Sequence, residues 1–302
     1  MHFCKPALIR NPVGGSANTS MYTSLLRELA GHKSCVLDYS TTPEPRSAYK
    51  HATNAIARGA DLLIAMGGDG TAMEVAEAAL QANTPMAVYQ GGTGNQFAST
   101  FYPRLPADLF CRMLVEGEPQ ALDILHMNLR LNGTESSRYA LVGCCSHEIA
   151  NAISFAPRKW KRIFGNLVYH YRCGLAFLNP KTQKVRFGTD KAQWESDVLT
   201  CSVLNACAMP LLQTGSSINA SDGLADVFVI SAKTRAELAK LGFTLGLKGP
   251  RLVRENLQML RTNRIVMESD TAFDMNIDGE PAQADRVEIN VLKGALKMIV
   301  SQ

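Results

Sequence analysis

Three glycine-rich clusters in the first third of the chain have the make-up of anion-binding turns: Asn11-Pro12-Val13-Gly14-Gly15, Gly67-Gly68-Asp69-Gly70-Thr71 and Gly91-Gly92-Thr93-Gly94-Asn95. Glycine lets the backbone take left-handed angles and approach an anion with no Cβ in the way. Amides at the start of a following helix, together with its dipole, then favour phosphate. Thr71 and Thr93 can add hydroxyl donors. One such cluster is commonly no more than a tight turn, but three on successive strand ends are hard to dismiss. Neither G-x-x-x-x-G-K-[ST] nor a strand-fed G-x-G-x-x-G is present, so these are not the Walker or dinucleotide loops. Three carboxylates stand in similar company: Asp69, Asp222 in Asp222-Gly223-Leu224-Ala225-Asp226, and Asp278 in Asn276-Ile277-Asp278-Gly279-Glu280-Pro281. Phosphoryl transfer needs positioning and charge neutralisation, and an acceptor alcohol needs a carboxylate to take its proton. Each has a plainer reading as well. Asp69 could cap the next helix, Asp222 could sit in a surface turn, and Asp278-Gly279 could be a two-residue hairpin turn.

The elements around the clusters alternate strand and helix. Ala7–Arg10, Cys35–Leu37, Asp61–Met66 and Met86–Tyr89 read as short strands, and Met21–Ala30, Ser47–Arg58 and Glu74–Ala82 as helices. Repeated units of this length predict a parallel sheet covered on both faces, and ligands of such sheets gather at the carboxyl ends of the strands. Near Leu122 the pattern changes to short alternating strands at Leu125–Leu131, Tyr139–Gly143, Lys184–Phe187, Val198–Ala206, Ala225–Ile230, Arg264–Glu268 and Val287–Val291, with helical stretches near Lys159–Leu178 and Arg235–Leu241. That predicts a mostly antiparallel second domain.

The chain has 302 residues, too many for one ordinary core, so two domains are expected. It is 46% hydrophobic and 19% charged, which excludes a largely disordered protein. A net charge of +4 with no concentrated basic stripe gives no reason to expect nucleic acid. The eight cysteines include no C-x-x-C and read as buried reduced thiols. No long apolar run follows Met1, so no secretory leader is expected, and no stretch reaches the ~20 apolar residues of a membrane span. The expected location is cytoplasmic, with transient peripheral contact at the inner membrane face. Arg158-Lys159-Trp160-Lys161-Arg162 suits anionic headgroups and reads equally as a solvated face. The oligomeric state is open, a homodimer among the options.

Gly67-Gly68-Asp69-Gly70-Thr71-Ala72-Met73-Glu74-Val75 resembles the G-G-D-G-T-x-N-E-V signature of the diacylglycerol kinase catalytic domain family, which includes bacterial lipid kinases and sphingosine kinases. Asn11-Pro12 with Gly15 resembles its N-P-x-x-G, Thr42 with Ala48 its T-x5-A, Gly92-Thr93-Gly94-Asn95-Gln96-Phe97-Ala98 its G-T-x-N-D-F-A, Asp222–Asp226 its D-G-x-L-D, and Asp278-Gly279-Glu280 its D-G-E. The likeness runs in order over nearly the whole chain. Met73, Gln96 and Ala225 stand where the family usually has asparagine, aspartate and leucine, and the first two bear on nucleotide affinity and choice.

The resemblance implies a fold and a site. The fold is an α/β nucleotide-binding domain with a parallel sheet over 1–121, of the NAD kinase and diacylglycerol kinase type. A mostly antiparallel, β-sandwich-like acceptor-binding domain follows over 122–302, its extreme C-terminal residues free to return to the first domain. ATP would be held by Asn11, Thr42, Gly67, Gly68, Asp69, Gly70, Thr71, Ala72, Met73, Glu74, Thr93 and Asn95. Asp69 would reach toward Mg2+ on the nucleotide, Asp278 would be the base and Glu280 its neighbour, while the Asp222 carboxylate and the backbone carbonyls of Asn219 and Leu224 would ligate a second Mg2+. The expected activity is transfer of the ATP γ-phosphate to the hydroxyl of a lipid. Three alternatives stand beside it: an NAD-kinase-like enzyme, a kinase for a non-lipid alcohol, and a nucleotide-binding regulatory module without turnover. The form Gly94-Asn95-Gln96-Phe97 favours the lipid-kinase reading over NAD kinase, and the retained Asp69, Asp278 and Glu280 count against a decayed site.

Overall fold

A computed structural model describes residues 3–12, 19–31, 36–92, 95–148, 150, 181–206, 219–231, 234, 236–237 and 256–300. The chain divides into two compact units, Met1–Ile124 with Lys293–Gln302, and Leu125–Leu292.

In the first unit, β1 (Pro6–Arg10), β2 (Leu37–Ser40), β3 (Leu62–Gly67) and β4 (Met86–Gln90) are parallel in the order β2-β1-β3-β4. The end of a long later strand runs parallel beside β4, with Met298 opposite Met86. Helices α1 (Thr19–Gly31), α2 (Ser47–Ala57), α3 (Asp69–Ala82), α4 (Gln96–Ser99) and α5 (Ala107–Glu116) accompany these strands. β3 is buried at every position, which is why it reads as an unbroken apolar run rather than an alternation. β1 has β2 on one side and β3 on the other, so the strand order reverses there. A crevice opens at the carboxyl ends of strands that flank such a reversal, and the segments leaving those ends are Asn11 and Gly68-Asp69-Gly70.

The second unit is built on antiparallel pairs. β7 (Gly143–His147), β10 (Thr200–Leu204), β11 (Ala225–Ile230), β12 (Leu257–Thr262), β13 (Arg264–Ile277) and β14 (Glu280–Ile299) lie in the order β12-β11-β10-β7-β13-β14. β8 (Gln183–Gly188) pairs with β13 and with β9 (Gln193–Val198). β5 (Pro119–Leu131) carries the chain into this unit and pairs with β6 (Thr134–Ala140). Two hairpins close on residues that are both at positive φ, Asn132-Gly133 (51° and 80°) and Asp278-Gly279 (47° and 94°). Such turns match the twist of the strands they join. Met127, Val185, Phe187, Val203, Val227, Met267 and Met275 belong to the core of this unit.

The α/β first unit and antiparallel second unit agree with the sequence reading, but several elements differ. α3 begins at Asp69 rather than Glu74; the two glycines flanking Asp69 disguised its first turn, because glycine is a poor helix former. α5 was missed although Ala107, Phe110 and Leu114 fall at helical spacing and are buried. β6 was missed because five of its seven residues are exposed and polar. β13 and β14 run well past the expected strands. The helical stretches expected near 159–178 and 235–241 and the basic segment at 158–162 lie outside the described residues, apart from 236–237. Among the described residues no helix is long and apolar enough to cross a membrane. The described cysteines are free, with Cys111, Cys144, Cys145 and Cys201 buried and Cys4 exposed.

His147 ends β7 at φ 61°, stacked on Phe273 with ring centroids 5.1 Å apart. Its Nδ1 lies 2.7 Å from Ser146 Oγ, whereas its buried Nε2 has no hydrogen-bond partner. Burial pushes the imidazole down to about 4, with Asp274 opposing weakly. The ordinary histidine value is about 6.5, so the unfolded chain takes up this proton first and stability contributed by neutral His147 is lost as pH falls from about 6.5 to about 4. The loss expected is about 3 kcal/mol. Urea midpoints followed over that range should fall less steeply for His147→Asn, whose side chain tolerates positive φ, than for the wild type. Parallel curves would show that His147 does not titrate with folding.

Candidate active site

The carboxyl ends of β1, β3 and β4 bring the glycine-rich turns together. The Gly91 N–H donates to Gly67 O at 2.9 Å, and the Asn11 N–H donates to Met66 O at 2.9 Å. Asn11 Nδ2 also donates to Thr71 Oγ1 at 3.3 Å. The turns touch through bare backbone: a Cβ on Gly92 would stand 2.3 Å from Gly68 Cα, and one on Gly67 would stand 2.5 Å from Thr71 Oγ1. These glycines are therefore required by packing within the protein. Gly70 is different. A Cβ there meets nothing within 4 Å, and its φ is not positive. The fold gains nothing from glycine at 70 and forfeits helix propensity in the first turn of α3.

The start of α3 has no side-chain cap, since Gly68 is its N-cap. The amides of the first turn thus lack the partner that a Ser, Thr or Asp cap would give, and an uncapped helix start of this kind is an anion seat. Asp69 does not cap α3. Its Oδ1 accepts from the Phe97 N–H at 3.1 Å, in the first turn of α4, so it binds the second glycine turn to the third.

Several residues expected at a nucleotide make hydrogen bonds within the protein. Glu74 Oε2 accepts from the Ala48 and Tyr49 N–H groups at 2.8 and 3.2 Å and thereby caps α2. The Thr42 N–H and Oγ1 both engage Ser47 Oγ ahead of the same helix. Thr71 and Ala72 are buried, and the Thr71 hydroxyl turns toward Asn11 rather than outward. Asn95, at φ 50°, closes its own loop: Oδ1 accepts from the Gly92 N–H at 2.9 Å and Nδ2 donates to Gly92 O at 2.8 Å. Met73 is half-buried one turn along α3, and Gln96 is half-buried at the start of α4. Thr93, with Gly94, lies outside the described residues, as do 13–18 of the first cluster. One residue that no motif singled out stands at the same strand ends. Arg10 closes β1 with its guanidinium 4.2 Å over the Tyr22 ring. Its signal in the sequence is only a cation directly before Asn11-Pro12.

Asp278 and Glu280 flank Gly279 at the β13–β14 turn of the second unit. The turn reading and the carboxylate reading of Asp278 therefore hold together. Its Oδ2 accepts from the Leu141 N–H at 2.6 Å, and its Oδ1 accepts from the Val142 and Gly143 N–H groups at 3.0 and 2.9 Å. Three backbone donors fix the carboxylate's direction. Glu280 is exposed at the start of β14.

At the expected second magnesium site the side-chain oxygens are already engaged. Asp222 Oδ1 accepts from the Leu224 N–H at 3.0 Å, and its Oδ2 is bonded to the Arg261 guanidinium. Asn219 Oδ1 accepts from the Ser221 N–H and hydroxyl. The one charged ligand is taken by another cation. No group of three or more His, Cys, Asp or Glu residues fit to hold a metal occurs among the described residues.

Residues 5–127 match the family model of the diacylglycerol kinase catalytic domain. A probable lipid kinase YegS-like of Stenotrophomonas maltophilia is 25% identical over 295 residues, 90% of each chain. A diacylglycerol kinase of Bacillus subtilis is 25% identical over 252 residues, 80% of each. In fold, the chain superposes along its full length on 98% of a putative diacylglycerol kinase from Bacillus anthracis, with TM-score 0.78 and 20% identity. It also superposes on 85% of a yeast NADH kinase complexed with NADH, with TM-score 0.58 and 12% identity. The matched motifs, the parallel first unit and the gathered turns agree: residues 5–127 are similar to the diacylglycerol kinase catalytic domain, and the relatives that match most of the chain are named lipid kinase or diacylglycerol kinase.

Proposed function

We propose that this protein transfers the γ-phosphate of ATP to a hydroxyl of a lipid, a diacylglycerol, sphingoid base or related alcohol. The observation that carries the donor half is the open space at Gly70 beside an uncapped α3. Polyphosphate oxygens would fill that space and accept the first-turn amides, and Asn11 would hold the loop through Thr71. Arg10 would add positive charge at the same strand ends. Magnesium would arrive with the nucleotide, and Asp69, whose Oδ2 accepts no hydrogen bond among the described residues, would face a metal-bound water. The family's ATP use supports this donor.

For the acceptor half, an open groove of about 750 Å³ in the second unit has one apolar set of lining residues, Leu129, Leu131, Met275, Pro281 and Ala282, and one polar set, Asn132, Thr134, Ser136, Arg138, Asp274 and Gln283. It lies along the hairpin whose turn carries Asp278, and its apolar wall suits an acyl or sphingoid chain. Asp278 would take the proton of the attacking hydroxyl, with Glu280 beside it. A loose transition state asks little of the base until the new P–O bond is well formed. Orientation is then what Asp278 chiefly supplies.

Labelled ATP and magnesium offered with diacylglycerol, sphingosine, phosphatidylglycerol and NAD should place phosphate on a lipid. Phosphate on NAD alone would overturn the reading, and nucleotide binding without transfer to any acceptor would make the chain a regulator. The two glycines should part company on substitution. Gly70→Ala should leave stability unchanged or raise it by about 0.4–1 kcal/mol while weakening ATP binding by about tenfold, the ~1.4 kcal/mol of a blocked contact. Gly92→Ala should cost about 1–3 kcal/mol of stability through overpacking against Gly68. Undiminished ATP affinity in Gly70→Ala would empty the proposed phosphate seat. Asp278→Asn should retain ATP binding and lose transfer by about 10²–10⁴-fold. Its amide sets an N–H donor against at least one of three backbone donors, so a stability loss of about 1–3 kcal/mol is expected as well. A folded Asp278→Asn protein with near-normal turnover would remove Asp278 from the mechanism.

A further inference from the structure

We propose that the Arg261 guanidinium takes the place of the divalent cation that the Asn219–Leu224 turn would hold by family resemblance, so that this turn is organised without a metal. The charged ligand of that site would be Asp222, and both of its carboxylate oxygens are engaged. Oδ1 accepts from the Leu224 N–H at 3.0 Å, and Oδ2 is bonded to Arg261 Nη2. Arg261 Nε also lies 3.4 Å from Asp226 Oδ1. Asp226 and Arg261 are register partners on β11 and β12, so the strand pairing itself delivers the guanidinium to this spot. A planar guanidinium with several donors is suited to bridging two carboxylates. Here it ties the turn to the sheet, which is the mechanical task a bridging cation would perform.

The chemistry of the site opposes a metal. Magnesium binds oxygen at about 2.0–2.1 Å and demands near-octahedral geometry. To reach Asp222 it would have to displace Arg261 and then share the position with that arginine's charge. The other donors that the resemblance implies, the backbone carbonyls of Asn219 and Leu224, are neutral and leave the metal without an anionic ligand while Arg261 holds Asp222; the Asn219 side chain adds none, because its Oδ1 accepts from the Ser221 N–H at 3.2 Å and the Ser221 hydroxyl at 2.7 Å. Asp226 is buried at 7% exposure. Removing Arg261 therefore leaves two neighbouring carboxylates, one of them buried, with no cation between them. The side chain of Arg261 is 41% exposed and that of Asp222 26%, so the Asp222 arm of the bridge is partly screened; the Asp226 arm is the more sheltered.

The test is thermal unfolding of the purified, nucleotide-free full chain in EDTA and in millimolar Mg2+ or Ca2+, with calorimetric titration of the same ions. The wild type should show the same Tm in all three conditions. Arg261→Met should have a lower Tm in EDTA and recover part of the loss in divalent cation, and the recovery should vanish when Asp222→Asn is added. A wild-type Tm that rises with Mg2+ and ceases to rise in Asp222→Asn would overturn the proposal, since the cation would then occupy Asp222 despite Arg261. An Arg261→Met protein with unchanged Tm, or with a lowered Tm that no divalent cation restores, would overturn it equally. Should Arg261→Met fail to fold, the wild-type titration with its Asp222→Asn control still decides the matter.

Discussion

The first unit depends on a backbone contact that leaves no room for side chains. β3 and β4 are neighbouring parallel strands, about 4.8 Å apart in the hydrogen-bonding direction, and the turns that leave them stay in contact past the end of the sheet. The Gly91 N–H bonds Gly67 O, and Gly92 lies so close to Gly68 that a Cβ would collide with its Cα. Because the turns are locked in this way, α3 can begin at once, Asp69 can reach the Phe97 amide, and Asn95 can close its loop on Gly92. The uncapped amides of α3 are thus held in place by contacts that do not involve them. A seat for polyphosphate assembled like this needs little rearrangement when the ligand arrives, and that is how preorganised electrostatics lowers a barrier.

The same economy governs the polar residues of the motifs. Glu74, Thr71 and Asn95 direct their side chains to backbone or side-chain partners inside the unit. They fix the segments that form the turns. Met73 and Gln96, the departures from the usual family pattern, stand outside that interlocking. Each is half-buried in a first or second helical turn, and the interlocking of the turns runs through Gly67, Gly68, Asp69, Thr71, Gly92 and Asn95.

Much of this was legible in the sequence, and the gaps have physical causes. The strands of the first unit could be read because a sheet covered on both faces makes continuous apolar runs such as Leu62–Met66. The turn at Asp278-Gly279 could be read because positive φ at two successive residues is costly for most others. What could not be read was partnership over distance. Asp278 meets amides 135 to 137 residues away, and no local pattern encodes which backbone a carboxylate will reach. The strands β6 and β9 were obscured because exposed strand positions carry polar residues in no fixed order. The first turn of α3 was hidden by glycine at a position where packing within the fold does not require it.

Asp222 and Asp278 show how far a shared motif type can diverge in effect. Both are aspartates followed by glycine, and both carboxylates are anchored by backbone N–H groups. At Asp278 the three backbone donors are neutral amides, which orient a carboxylate without cancelling its charge. At Asp222 one oxygen is bound to a guanidinium, which does cancel it. A carboxylate bound to a guanidinium has little attraction left for a divalent cation. Arg261 lies 39 residues from Asp222 in sequence and is brought to it by the pairing of β11 with β12. The meeting of Asp222 with a guanidinium is therefore set by the sheet: register, more than motif, decides which Asp-Gly turn receives Arg261.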